Sequence, residues 1–96
     1  MTMTRLTAAL ALVLSMGGIA QAEGPPGAAS CSGCHAANTR VETPVPPLNG
    51  RPQADVTDAM IEYKSGKRAG TIMDRIAKGF SDEEIRAIAA WYAGQK

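Results

Sequence analysis

The stretch Cys31-Ser32-Gly33-Cys34-His35 gathers the chain's only two cysteines and its only histidine into five residues. Two thiols three apart, followed at once by an imidazole, let one turn of backbone form two thioethers and offer a ring nitrogen to iron, which is what covalent haem attachment requires. Other uses of a Cys-x-x-Cys pair fit less well. A thioredoxin-like redox pair accompanies a βαβ pattern, and no segment here alternates with the period of a strand. Zinc takes about four N or S ligands, whereas this chain offers three on adjacent positions and no second cluster. A Cys31 to Cys34 disulfide closes so short a loop that it stabilises little, and it stands as the alternative, in a secreted binding module without haem.

The chain's beginning says where such chemistry would operate. Arg5 is followed by the apolar block Ala8-Ala9-Leu10-Ala11-Leu12-Val13-Leu14 and then by Ala20-Gln21-Ala22. That is the order of a secretory signal peptide, so residues 1–22 are expected to be removed before Glu23, with export to the periplasm. The apolar run falls well short of the roughly 20 residues that span a bilayer, and no stable membrane span is expected. Residues 23–96 then form one domain. Loss of Arg5 reduces the ten Lys and Arg to nine, equal to the nine Asp and Glu. A neutral chain argues against nucleic acid as a partner. A domain this small is marginal without a disulfide, metal or cofactor to complete its core.

Local signals predict helices joined by long loops. The Gly- and Pro-rich residues 23–29 leave room for only a short helix leading into Cys31. Residues 36–51, with Pro44, Pro46 and Pro47, read as irregular. A helix begins after Pro52, with Ala54, Ala59, Met60 and Tyr63 at near-helical spacing, Asp55 or Thr57 as its cap, and Gly66 at its end. After a loop, Asp74 to Lys78 suits a short helix ended by Gly79. Ser81 and Glu84 make a capping box before the stripe Ile85, Ile88, Ala89 and Tyr92, with Trp91 at its margin and Gly94 as the stop. The fold class is therefore all-α, with no internal repeat.

A second axial ligand to iron must come from another part of the chain, and outside residues 1–22 the thioether candidates are Met60 and Met73. Met60 lies in mid-helix on the face of Tyr63, where methionine usually fills core. Met73 is expected in a loop free to cross the far side of a haem and is the favoured ligand.

The order of Cys31 to His35, Pro46-Pro47-Leu48-Asn49-Gly50, Tyr63-Lys64-Ser65-Gly66, Met73 to Lys78 and the terminal Ala89-Ala90-Trp91-Tyr92 resembles a class I c-type cytochrome. Within that class, the run from Tyr63 through Met73 to Ser81 is similar to the cytochrome subunit of flavocytochrome c sulfide dehydrogenase. The resemblance implies a small single-domain fold wrapped around one c-type haem. It makes Cys31 and Cys34 the thioether residues, His35 and Met73 the axial pair, and Pro46 the residue whose carbonyl accepts the proton of the other His35 nitrogen. It also sets Trp91 at a crossing of the first and last helices. That crossing is expected to be curtailed here, because the segment before Cys31 is short and carries prolines.

With both axial positions filled by protein, substrate has no place on the metal, so the expected role is electron transfer rather than catalysis. The resemblance implies redox partner proteins: a sulfide-oxidising flavoprotein subunit as donor and a downstream oxidase or cytochrome as acceptor. A free soluble carrier of a respiratory or photosynthetic chain is the alternative. Lys64, Lys67, Arg68, Arg75 and Lys78 surround the Met73 segment. They read either as a basic rim that steers an acidic partner or as an ordinary solvated surface.

Overall fold

In a computed structural model, residues 24–37 and 44–96 are described. The expected signal peptide and residues 38–43 of the proline-bearing loop lie outside them. The described chain contains four helices and no strand: α1 Ala28–Cys31, α2 Gln53–Ser65, α3 Met73–Ala77 and α4 Asp82–Ala93. No helix among the described residues is long and apolar enough to cross a membrane. The all-α expectation holds, and α2 packs against both α3 and α4 while α1 meets α4.

Each helix boundary has a local cause. Gly27, with φ 89°, precedes α1, and a Cβ on it would lie 2.5 Å from Cε1 of Phe80. Both the left-handed backbone and the aromatic ring require glycine there. α2 starts at Pro52, whose carbonyl accepts from Asp55 and Val56, and no side chain caps it. Neither Asp55 nor Thr57 is the cap, because the helix begins ahead of both. Asp55 instead sits in the first turn, where its charge suits the helix dipole, and the Thr57 hydroxyl is buried without a hydrogen-bond partner among the described residues. Gly66 ends α2, as its sequence position predicts.

α4 has the expected capping box. Ser81 Oγ accepts from the Glu84 amide at 3.1 Å, and the Glu84 carboxylate accepts from the Ser81 amide at 2.9 Å. Its inward stripe is Ile85, Ile88, Ala89 and Tyr92, all buried. Ala28, Ile88 and Tyr92 form the central cluster, with Cys31, Leu48, Phe80 and Trp91 packed on it. α1 is only four residues long, so its crossing with α4 is reduced to this cluster, in line with the short segment before Cys31. The fully buried aromatic at the crossing is Tyr92; Trp91, one residue off the stripe, is half-buried and meets the Tyr92 ring edge-on at 4.8 Å.

The seven buried side chains among the described residues include Ala28, Ala77 and Ala89, and the largest that are fully buried are Tyr92 and Ile85. A side chain such as Ile85 contributes about 1.5–3 kcal/mol on burial, and an alanine far less. Removing the cap hydroxyl with Ser81→Ala should lower unfolding stability by about 1 kcal/mol at neutral pH. The Ser81 amide, then its hydroxyl, hold the Glu84 carboxyl below its ordinary value of 4.5. Charged Glu84 therefore stabilises the fold fully above that value and progressively less as pH falls through the folded-state value. Urea titrations of the wild type and Glu84→Gln should converge as the pH is lowered from neutral to below 4.5.

Candidate functional site

The Cys31-Ser32-Gly33-Cys34-His35 segment continues α1 as a tight turn. Gly33 N donates to Ser30 O at 3.2 Å, Cys34 N to Cys31 O at 3.2 Å and His35 N to the same oxygen at 2.8 Å. Helix-like winding over these residues directs positions separated by three and four toward one side of the turn. Both cysteines are free. The disulfide weighed from the sequence is thus not formed in this structure. Cys31 is half-buried, its thiol directed at Gly27 O at 3.6 Å, and burial pushes its pKa up, so it is held as the neutral thiol. Cys34 is exposed.

His35 Nδ1 lies 2.6 Å from the Pro46 carbonyl oxygen. A carbonyl only accepts, so Nδ1 carries the proton, and the lone pair resides on Nε2, the form in which imidazole binds metals. This bond fixes the tautomer and aims the ring. The acceptor loop is itself tied down. Arg51 N donates to Leu48 O at 3.1 Å, Arg51 Nε to Pro47 O at 3.0 Å, and Gly50 N to the Tyr92 main-chain oxygen at 3.0 Å.

Met73 lies elsewhere, as the first residue of α3 rather than in the preceding loop. Ile72 has a non-helical φ of −140°, and its carbonyl accepts from Arg75 and Ile76, so helix begins one residue ahead of Asp74. Met73 is half-buried beside the exposed Ile72. The segment before it passes close under Tyr63: a Cβ on Gly70 would lie 2.9 Å from Tyr63 Cε1. Met60 is half-buried within α2.

One part of the site has no sequence signal. The Tyr92 hydroxyl donates to Ala28 O at 2.6 Å and lies 2.8 Å from Ser32 Oγ, inside the attachment motif. The periodicity of α4 marks Tyr92 as core, but nothing local predicts a partner sixty positions away.

The donor set suits a porphyrin better than a bare ion. Among the described residues, no group of three or more His, Cys, Asp and Glu side chains is arranged to hold a metal by itself. An iron porphyrin brings four nitrogens of its own, and asks of the chain two accessible thiols and an imidazole with a fixed tautomer. Free Cys31 and Cys34 and the bonded His35 meet those demands.

No protein-family model matches the chain. Cytochrome c-554(548) of Halomonas halodenitrificans is 32% identical over 71 residues, which cover 70% of this chain and 86% of that protein. The chain belongs to the class I c-type cytochromes. The cytochrome subunit of sulfide dehydrogenase from Chlorobaculum tepidum is 36% identical over 63 residues, 66% of the chain. Cytochrome c4 of Pseudomonas aeruginosa is 33% identical over 100 residues, 98% of the chain. The chain spans little more than half the length of these last two relatives, 57% and 50%. Membership of this family implies a covalently bound haem iron and an electron-transfer role.

Proposed function

We propose that residues 23–96 are an exported, monohaem electron carrier of the periplasm, released from residues 1–22 as a cleaved signal peptide. Cys31 and Cys34 would hold the haem by thioethers, His35 Nε2 and the Met73 sulfur would bind its iron, and the Pro46 carbonyl orients His35. The observation that carries this reading is the 2.6 Å contact from His35 Nδ1 to Pro46 on the turn that also bears both free cysteines. Haem iron supplies a one-electron couple. The chain's residues determine how it is used. Two protein ligands keep substrate from the metal, and the thioether favours the reduced form relative to a second imidazole. The apolar cluster of Ala28, Ile88 and Tyr92 packs against the attachment turn.

The donor is proposed to be a sulfide-oxidising flavoprotein and the acceptor a downstream oxidase or cytochrome, supported by likeness to a cytochrome subunit of sulfide dehydrogenase. Coverage of 86% of a short cytochrome favours the second reading, a free soluble carrier. Copurification with a flavoprotein separates the two.

Charge near Met73 is more restricted than the sequence suggests. Lys64 is paired with Asp82 at 2.9 Å and Arg68 with Glu62 at 2.8 Å. Lys67, Arg75 and Lys78 remain exposed and, among the described residues, without an ion pair. These three are the cations available to steer an acidic partner.

Three outcomes are expected. Protein produced with its leader in a haem-attaching periplasm should show a c-type pyridine haemochrome and an intact mass of residues 23–96 plus one haem. In it, Met73→Ala should abolish the near-infrared thioether-to-iron band while Met60→Ala retains it; the reverse would reassign the ligand. The rate of electron exchange with an acidic partner should fall with ionic strength, and less steeply in a Lys67→Ala, Lys78→Ala variant. A flat salt response in the wild type would remove steering from the account.

A further inference from the structure

Tyr92 contacts both halves of the His35 arrangement. Its hydroxyl has one hydrogen, which goes to Ala28 O at 2.6 Å, so at the 2.8 Å contact Ser32 Oγ is the donor and Tyr92 the acceptor. Those two bonds fasten α1 and the middle of the attachment motif to α4. The main-chain oxygen of the same residue accepts from Gly50 N at 3.0 Å, and this fastens the loop that presents the Pro46 carbonyl. Leu48 of that loop packs on the cluster to which Tyr92 belongs. The two partners of the 2.6 Å His35–Pro46 bond are therefore both referenced to one residue of α4.

Tyr92 is buried, with 1% of its surface exposed, and its ring is held edge-on by Trp91. A rigid anchor of this kind transmits position well, since packed side chains have few alternative rotamers. Ser32, by contrast, is exposed and contributes no core. Its hydroxyl is free to bond with water, so a bond to a buried tyrosine sixty positions away does not serve to satisfy an otherwise stranded group. What that bond does is define where the turn between Cys31 and His35 sits relative to α4.

We propose that Tyr92, acting through Ser32, is a positioning residue that sets the strength of the His35–Pro46 hydrogen bond and thereby tunes the reduction potential of the bound iron. This rests on the haem reading given above. A short bond makes the imidazole a stronger donor, which favours ferric iron. Loosening the turn lengthens the bond, weakens that donation and moves the equilibrium toward ferrous iron.

The test is a comparison of haem-loaded wild type, Tyr92→Phe, Ser32→Ala and the double variant. Tyr92→Phe keeps the ring and the main-chain bond to Gly50 and removes only the hydroxyl; Ser32→Ala, at an exposed position, leaves the core intact and decides the matter if Tyr92→Phe does not fold. Each single variant is expected to shift the ferrous-to-ferric ratio several-fold toward ferrous at fixed applied potential. Exchange of the His35 Nδ1 proton with solvent should quicken in parallel, and the double variant should shift no further than Tyr92→Phe. An unchanged potential in Ser32→Ala, or shifts that simply add, would overturn the proposal. Wild-type protein lacking a covalent haem spectrum would overturn the haem reading itself, and the tuning role with it.

Discussion

The hydrogen bond between His35 and the Pro46 carbonyl joins two stretches that share no secondary structure, and most of the arrangement follows from what each needs in order to reach the other. His35 is delivered by the turn that continues α1, in which Cys31 O accepts two successive amides. Pro46 is delivered by a loop in which proline removes the amides that a regular element would use. Such a loop has to be held by contacts at its edges, and Arg51, Leu48 and Gly50 provide them. The result is an imidazole whose Nδ1 donates to a fixed carbonyl, on the turn that also bears two free thiols.

The same residues explain why so few apolar side chains support the fold. α1 contributes one buried alanine, and α4 contributes Ile85, Ile88, Ala89 and Tyr92. Tyr92 is both the largest fully buried group and the point to which the turn and the loop are tied. Burial and orientation are thus carried by one side chain. Haem attached at Cys31 and Cys34, as proposed, would add apolar area next to this cluster, since Cys31 already packs against it. On this account the prosthetic group is part of the core as well as the redox centre.

Much of this was legible in the residues themselves. The attachment motif, the capping box at Ser81 and Glu84, the inward stripe of α4 and the stop at Gly66 depend on signals a few positions apart, and such signals survive into structure because local geometry alone produces them. The start of α2 after Pro52 is legible but its cap is not, because polar Asp55 and Thr57 look like caps, whereas the carbonyl of Pro52 opens the helix. Met73 reads as loop in the sequence, but the Ile72 carbonyl, which accepts from Arg75 and Ile76, opens α3 ahead of it. The five cations near Met73 looked alike in sequence, and only tertiary contact with Asp82 and Glu62 separates the paired from the free. The Ser32 to Tyr92 bond was invisible for the same reason: its partners meet only after α1 crosses α4.

The central claim is that covalent haem at Cys31 and Cys34 both creates the redox centre and completes the fold. Far-ultraviolet circular dichroism of a Cys31→Ala, Cys34→Ala variant, set beside the haem-loaded wild type, tests it most directly. The account predicts a largely unfolded variant, because its few buried side chains do not offset the conformational entropy of the chain. A haem-free variant with a stable, wild-type helical signal and a cooperative thermal transition would contradict it.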